Sequence, residues 1–298
     1  MGENSIDLLA VVAEFPISDS KQRLQRFARQ PGGRVATALV ACSKLGLRAR
    51  YLGRFGDDEF GVQSRDSLIR DGVDVSGARV VAGATNQFAM ILVDGRTGER
   101  TVLWDRHPGL TVEAGDVEED IVASGRMLIV DCQEPAAAAR AARYARRAAM
   151  PTIAHVEKVR PGVLDLLPQI DAIIATREFP TALTGHEDLG HALEVMARES
   201  GAALVCVTLG AQGSLARCGG REIRTPPFSV DCVDRTGAGD VFRGAFAAGC
   251  LRTPEGDIED VLAYANAAAA LTCRALGARA ALPDADEVER LLFARPNL

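Results

Sequence analysis

Apolar and polar positions along the chain fall into two rhythms. From residue 127 onward, short apolar runs alternate with longer segments of helical spacing. Residues 127–130 (Met-Leu-Ile-Val) read as a buried strand, 135–149 as an Ala/Arg helix, and 152–156 as the next strand. A further strand at 170–175 leads into a helix ending near Gly185, and 203–210 is again strand-like. Strands alternating with helices argue an α/β organisation. The first third is different. Residues 6–12 are an apolar run, 49–53 alternate like a strand, and 62–71 have helical spacing. Residues 79–106 are strongly β-patterned, with Asp94-Gly95-Arg96-Thr97-Gly98 as the turn of a hairpin. Such a hairpin inside an α/β chain reads as a lid. Residues 213–216 and 222–224 form a second hairpin, 228–233 an extended segment, and an Ala-rich helix follows.

Composition narrows the class. A chain of 298 residues can hold one large α/β domain, and the expectation is a single domain over 1–298 with the lid inserted at about 8–30 and 79–106. The net charge of −6 argues against nucleic acid or an anionic membrane surface as the main partner. Arg140, Arg143, Arg146 and Arg147 then form a solvated helix face. The seven cysteines are scattered, with no C-x-x-C pair, which suits free thiols in a reducing compartment. No apolar run is long enough to span a bilayer and no signal peptide opens the chain, so a soluble, cytoplasmic protein is expected.

The candidate chemistry lies in Val233-Asp234-Arg235-Thr236-Gly237-Ala238-Gly239-Asp240-Val241-Phe242-Arg243-Gly244. Gly237 and Gly239 let the backbone approach a ligand closely, and the helix that follows presents unpaired N–H donors to an anion. Asp240 is a carboxylate beside that hole. Phosphoryl transfer to an alcohol needs both parts, a base for the hydroxyl proton and donors for the charge spreading over phosphorus. On the residues alone, Asp240 reads equally as a helix N-cap. Neither GxxxxGK[ST] nor GxGxxG occurs in this run.

Asp234-Arg235-Thr236-Gly237-Ala238-Gly239-Asp240-Val241-Phe242 resembles the C-terminal signature of the ribokinase-like (PfkB-type) carbohydrate kinases, with Arg235 where a Thr is usual. Gly32-Gly33 through Leu45-Gly46 resembles the first signature of the same family, with Thr37 in place of an Asn, as in sulfofructose-type kinases. Glu157-Lys158-Val159-Arg160 resembles ketohexokinase-like members. The resemblance implies a three-layer αβα fold with a mainly parallel central sheet and a small β lid. It further implies Asp240 as catalytic base and Gly237, Ala238 and Gly239 as the anion hole. Asp7, Gly32, Gly33 and Thr37 match positions that grip the sugar, and Asn86 and Arg106 are further substrate candidates. Thr208, Gly210, Asn266 and Gly277 match the ATP site, with Lys158 facing either its phosphates or solvent. Glu178 matches the Glu of an NxxE motif that places Mg²⁺ through water, although Ala175 replaces the Asn. Asp234 marks a potassium-type monovalent-cation site. His155 reads as a satisfied core residue, and Asp57 and Asp58 as a turn and helix cap.

The expected function is ATP-dependent phosphorylation of a primary hydroxyl on a small-molecule sugar, ketose-like favoured, by a homodimer joined through the lid. A nucleoside kinase and a catalytically silent sugar- or nucleotide-binding protein are the alternatives.

Overall fold

The computed structural model describes residues 1–294. Strand β1 (Ser5–Val12) is followed by β2 (Arg26–Gly32) and helix α1 (Arg34–Lys44). Between β2 and α1, Gly33 sits at φ 88°, where an added Cβ would lie 2.3 Å from the Asn4 Cα, so only glycine fits. Next come β3 (Arg54–Gly56), α2 (Glu59–Arg70), β4 (Arg79–Val81), β5 (Phe88–Asp94), β6 (Arg100–Asp105) and α3 (Glu119–Ala123). Asp58 caps α2 by accepting from the Gly61 N–H at 2.9 Å.

The alternating half runs through β7 (Leu128–Asp131), α4 (Pro135–Arg147), β8 (Thr152–Val156), α5 (Val163–Leu166), β9 (Ala172–Ala175), α6 (Glu178–Thr184) and α7 (Leu189–Ser200). It continues with β10 (Leu204–Thr208), the hairpin β11 (Ser214–Cys218) and β12 (Arg221–Thr225), and the helices α8 (Ala238–Arg252), α9 (Ile258–Thr272) and α10 (Ala285–Phe293).

Six strands form the main sheet in the order β12-β11-β10-β9-β8-β7, with β7 to β10 parallel and the last hairpin antiparallel. Its side chains alternate between two cores. Ile129, Ile153, Ile174, Cys206, Ala216 and Ile223 pack with α1, α8 and α9. Val130, Ala154, Val156, Ile173, Val205, Val207 and Leu215 pack with α4 and α7. These are the three expected layers. The Ala- and Gly-rich contact of α1 with α8 is close: a Cβ on Gly244 would meet the Ala38 carbonyl oxygen at 2.4 Å.

The lid is a separate four-stranded sheet in the order β2-β1-β5-β6. One face carries Leu9, Ala89, Ile91 and Val93, which close on Leu276 of the body. Residues 1–3 run beside β7, where the Asp131 N–H donates to the Met1 carbonyl and the Glu3 N–H to Asp131 Oδ2 at 2.7 Å. The chain thus passes from the main sheet into the lid within a few residues.

Three sequence expectations are corrected. Residues 49–53 make one isolated bridge, Arg50 to Asp74, and the strand begins only at Arg54. Residues 79–81 pair with β3, outside the lid, because Gly83 (φ 71°) breaks the segment before β5. Residues 228–233 form no strand. Pro226 and Pro227 bring no N–H to a sheet edge, and the segment is fastened through Val233 and Asp234 N–H groups to the Cys273 carbonyl instead.

Candidate active site

Helix α8 begins where the sequence signature lies. Its N-cap, Gly237, takes the left-handed conformation (φ 79°, ψ −7°) and packs so closely on Ala278 that a Cβ would stand 2.6 Å from the Ala278 Cβ. The amides of Asp240 and Val241 turn back to the Gly237 carbonyl at 2.9 Å, and that of Ala238 reaches Arg235 O at 3.3 Å. The Gly237 and Gly239 N–H groups have no acceptor among the described residues. The expected hole therefore has two open donors, with a long bond on the third. Asp240 is partly buried beside them.

The Asp240 carboxylate is held by Arg243 Nη2, one turn further along α8. Arg243 is buried to 3% exposure, and its Nη1 donates to His155 Nδ1 at 2.8 Å. His155 faces Glu157 through its other nitrogen, and Arg34 joins Glu157 (2.5 Å) to Glu3 (2.9 Å). Burial, then the Arg243 charge, lowers the His155 pKa and keeps the ring neutral. Burial alone would raise Glu157, but the His155 hydrogen bond and Arg34 outweigh it and hold the carboxyl at about 2.

Of the residues expected to grip the sugar, Asp7, Gly32 and Thr37 lie together, on β1, β2 and α1. Asp7 lies directly over Gly32, whose added Cβ would be 2.2 Å from its carboxylate. Burial pushes Asp7 up to about 6, and the nearby Asp240 charge adds to the rise. Thr37 is fully buried and its hydroxyl accepts from Arg279 Nε at 3.2 Å. Arg279 also donates to Ser67 Oγ (3.3 Å) and the Gly32 carbonyl (2.6 Å). Asn86 and Arg106 are engaged elsewhere. The Asn86 amide bridges Gly56, Asn4 and Gln87, while Arg106 forms a 2.6 Å ion pair with Glu134 and donates to Leu110 O. No hydrogen bond or ion pair among the described residues ties either to Asp7 or Asp240.

Thr208 ends β10, Gly210 follows at φ 58°, and the Asn266 amide on α9 donates to Ser214 Oγ at 2.9 Å. Lys158 is exposed after β8, as is Glu178 in the first turn of α6. Asp234 accepts from the Thr236 N–H and hydroxyl on one oxygen and from the Gly277 N–H on the other, all within 2.9 Å. It stitches the loop before α8 to the Gly277 turn. Among the described residues no three His, Cys, Asp or Glu side chains converge as a metal cluster.

Sequence reasoning missed several residues at this site. Arg243 stood inside the signature run, and a charged residue amid the buried stretch from Val241 to Gly249 was the available signal. Arg279 likewise interrupts a small apolar segment. Nothing local marks Gln30, which donates to Leu276 O at 2.9 Å, or Arg100, which donates to Thr236 Oγ1 at 3.3 Å. These two bonds seat the lid on the loops around Gly277 and Gly237.

Residues 1–285 match the model of the pfkB family carbohydrate kinases. An ATP-dependent ribose-1-phosphate kinase of Halopiger xanaduensis is 31% identical over 99% of this chain and 97% of that protein. Fructokinase-1 of Oryza sativa is 28% identical over 98% of this chain and 96% of that protein. Among solved structures, a ribokinase from Thermotoga maritima superposes with a TM-score of 0.83 at 24% identity, covering 98% of this chain and 97% of that one.

Proposed function

We propose, for a chain that belongs to the pfkB family carbohydrate kinases and so phosphorylates sugars with ATP, that Asp240 is the general base for a primary hydroxyl of a ketose-like sugar. The observation that carries this reading is the placement of the Asp240 carboxylate beside the open N–H groups of Gly237 and Gly239, with Asp7 across from it. The Asp240 oxygen not held by Arg243 takes the hydroxyl proton. The alkoxide-like oxygen bonds to the γ-phosphorus as the bond to the β–γ bridging oxygen breaks and ADP leaves. The two glycine amides, with the positive end of α8, stabilise charge on the transferring group. Asp7, poised over Gly32, grips sugar hydroxyls, and Thr37 shapes the same wall through Arg279.

The ATP-binding residues are Thr208, Gly210, Asn266, Gly277 and Lys158. Mg²⁺, which neutralises phosphate charge in such kinases, would be held mainly by the nucleotide, with the exposed Glu178 carboxylate as the protein group proposed to orient its water, since no protein cluster converges among the described residues. A potassium site near Asp234 would draw mainly on loop carbonyls, since three hydrogen bonds already engage the carboxylate and leave one acceptor position on Oδ2. Free cysteines at all seven positions fit a reducing, cytoplasmic setting. No helix among the described residues is long and apolar enough to cross a membrane.

Asp240→Asn should lower kcat by roughly 10²–10⁴-fold with ATP affinity little changed. Coupled ADP-release assays against fructose, ribose, ribose-1-phosphate and adenosine would read it. Turnover near the wild-type rate would remove Asp240 from the role of base, and a preference for adenosine would replace the sugar by a nucleoside.

A further inference from the structure

Among the described residues, the Asp240 carboxylate has one side-chain partner, Arg243. That arginine is itself buried, and burial lowers its pKa while the Asp240 charge opposes the fall. A guanidinium in such a place is costly unless its donors are engaged. Its Nη2 meets Asp240 and its Nη1 meets the bare Nδ1 of His155, so both ends of the fork are held. His155 projects from β8 on the face that packs on α1 and α8, the same face as Ile153. Beyond it, Glu157 and Arg34 continue the chain of charges to Glu3 and Asp131 at the end of β7. Across the cleft, Asp7 and Arg279 lie within electrostatic reach of Asp240, and Arg100 within reach of Asp7.

We propose that Arg243 is a positioning residue for the base: its fork, anchored on Nδ1 of His155, holds the Asp240 carboxylate in one rotamer so that the free oxygen meets the acceptor hydroxyl. The proposal rests on the reading of Asp240 as base. An aspartate alone on a helix samples several rotamers, whereas a charge-assisted bond from a rigid fork selects one. A base misplaced by about 1 Å can lose on the order of 10²-fold in rate. The planar fork also matters: its two ends reach two different residues, which a lysine ammonium does less well. The arrangement requires His155 to carry its proton on Nε2, facing Glu157, because Nδ1 accepts from Arg243.

A double-mutant cycle on the intact enzyme tests this. Arg243→Met should lower kcat by roughly 10–100-fold while the KM for ATP moves less than about twofold, and Arg243→Lys should recover part of the loss. Because Arg243 acts through Asp240, adding Arg243→Met to Asp240→Asn should cost nothing further. Full multiplicative loss in the double variant, or wild-type kcat in Arg243→Met, overturns the proposal. Asp240→Asn with wild-type turnover instead overturns the assignment of the base. A readout independent of turnover is the ¹⁵N spectrum of His155 at neutral pH. A bare Nδ1 and protonated Nε2 are expected in the wild type, and a mixture of tautomers in Arg243→Met. An Nδ1-protonated ring in the wild type rejects the anchor. Should Arg243→Met fail to fold, His155→Asn, whose side-chain oxygen can replace Nδ1 as acceptor, is expected to keep at least a tenth of kcat. A fall to the level of Asp240→Asn in that folded variant contradicts the geometry.

Discussion

Arg279 joins three neutral acceptors with one guanidinium: the Thr37 and Ser67 hydroxyls and the Gly32 carbonyl. It lies where α1 and β2 meet under Asp7, and burial pulls its pKa down to about 10. Removing it leaves three buried groups to find new partners. Arg279→Ala should destabilise by about 1–3 kcal/mol and raise the sugar KM more than the ATP KM. Arg279→Lys should restore little, because an ammonium cannot span the three acceptors. Equal KM values in the alanine variant would detach Arg279 from the sugar wall. Glu134 makes a second prediction. Burial raises its pKa to about 7 in spite of the Arg106 ion pair. The folded protein then holds a proton that the unfolded chain has lost between about pH 4.5 and 7, so stability falls as pH rises through that window. Asp7, raised to about 6, acts in the same direction. Glu134→Gln removes one of these titrations, so its Tm relative to wild type should climb from pH 4.5 to 7.5, whatever constant offset the lost ion pair brings. Parallel Tm curves would contradict the raised pKa.

At the scale of elements, the lid depends on the body. Its inner face buries Leu9, Ala89, Ile91 and Val93 around Leu276, with Val11 and Ala28 partly covered beside them, a small cluster for a four-stranded sheet. Two polar bonds add direction, Gln30 to Leu276 O and Arg100 to Thr236. The Gly277 turn has no room for a side chain there, since an added Cβ would fall 1.7 Å from Gln30 Oε1. A lid seated in this way would keep water from the transferring phosphoryl group if the site works as proposed. The Gln30→Ala, Arg100→Ala double variant should therefore release ADP from ATP several-fold faster in the absence of sugar and raise the sugar KM. Its Tm should change little, because neither residue belongs to a core. Sugar-independent ATP hydrolysis at the wild-type rate would show that these bonds do not govern closure. The same loops explain why Asp234 is buried: it ties the start of α8 to the turn on which the lid rests.

At the scale of the whole molecule, the outer face of the lid sheet carries exposed apolar side chains. The lid register puts Phe27, Met90 and Leu103 on the face turned away from the active site, at 59%, 42% and 54% exposure. Phe88, on the same face, is partly covered by Phe60. Exposed apolar side chains grouped on a sheet face suit a self-complementary contact with a second copy. If this face pairs two copies in solution, Met90→Glu should leave a monomer in sedimentation or light-scattering measurements, with the fold retained. A wild-type chain that is monomeric at micromolar concentration would dispose of the dimer.

Much of this protein was legible without coordinates. The main-sheet strands at 127–130, 152–156, 170–175 and 203–210 and the helix 135–149 followed from periodicity, because burial on one or both faces writes itself directly into the order of apolar residues. The Gly237-Ala238-Gly239-Asp240 run was legible as a helix start, because a left-handed N-cap needs glycine, while its reading as anion hole and base came from the family resemblance. Partnerships were another matter. That 79–81 joins β3 rather than the lid, that Asn86 and Arg106 are bound internally, and that Arg243 clasps Asp240 against His155 depend on segments far apart in the chain. Local order determines which face a residue shows, but only the folded chain decides which charged group stands opposite it, since that distance is set by how layers pack and not by spacing along the backbone.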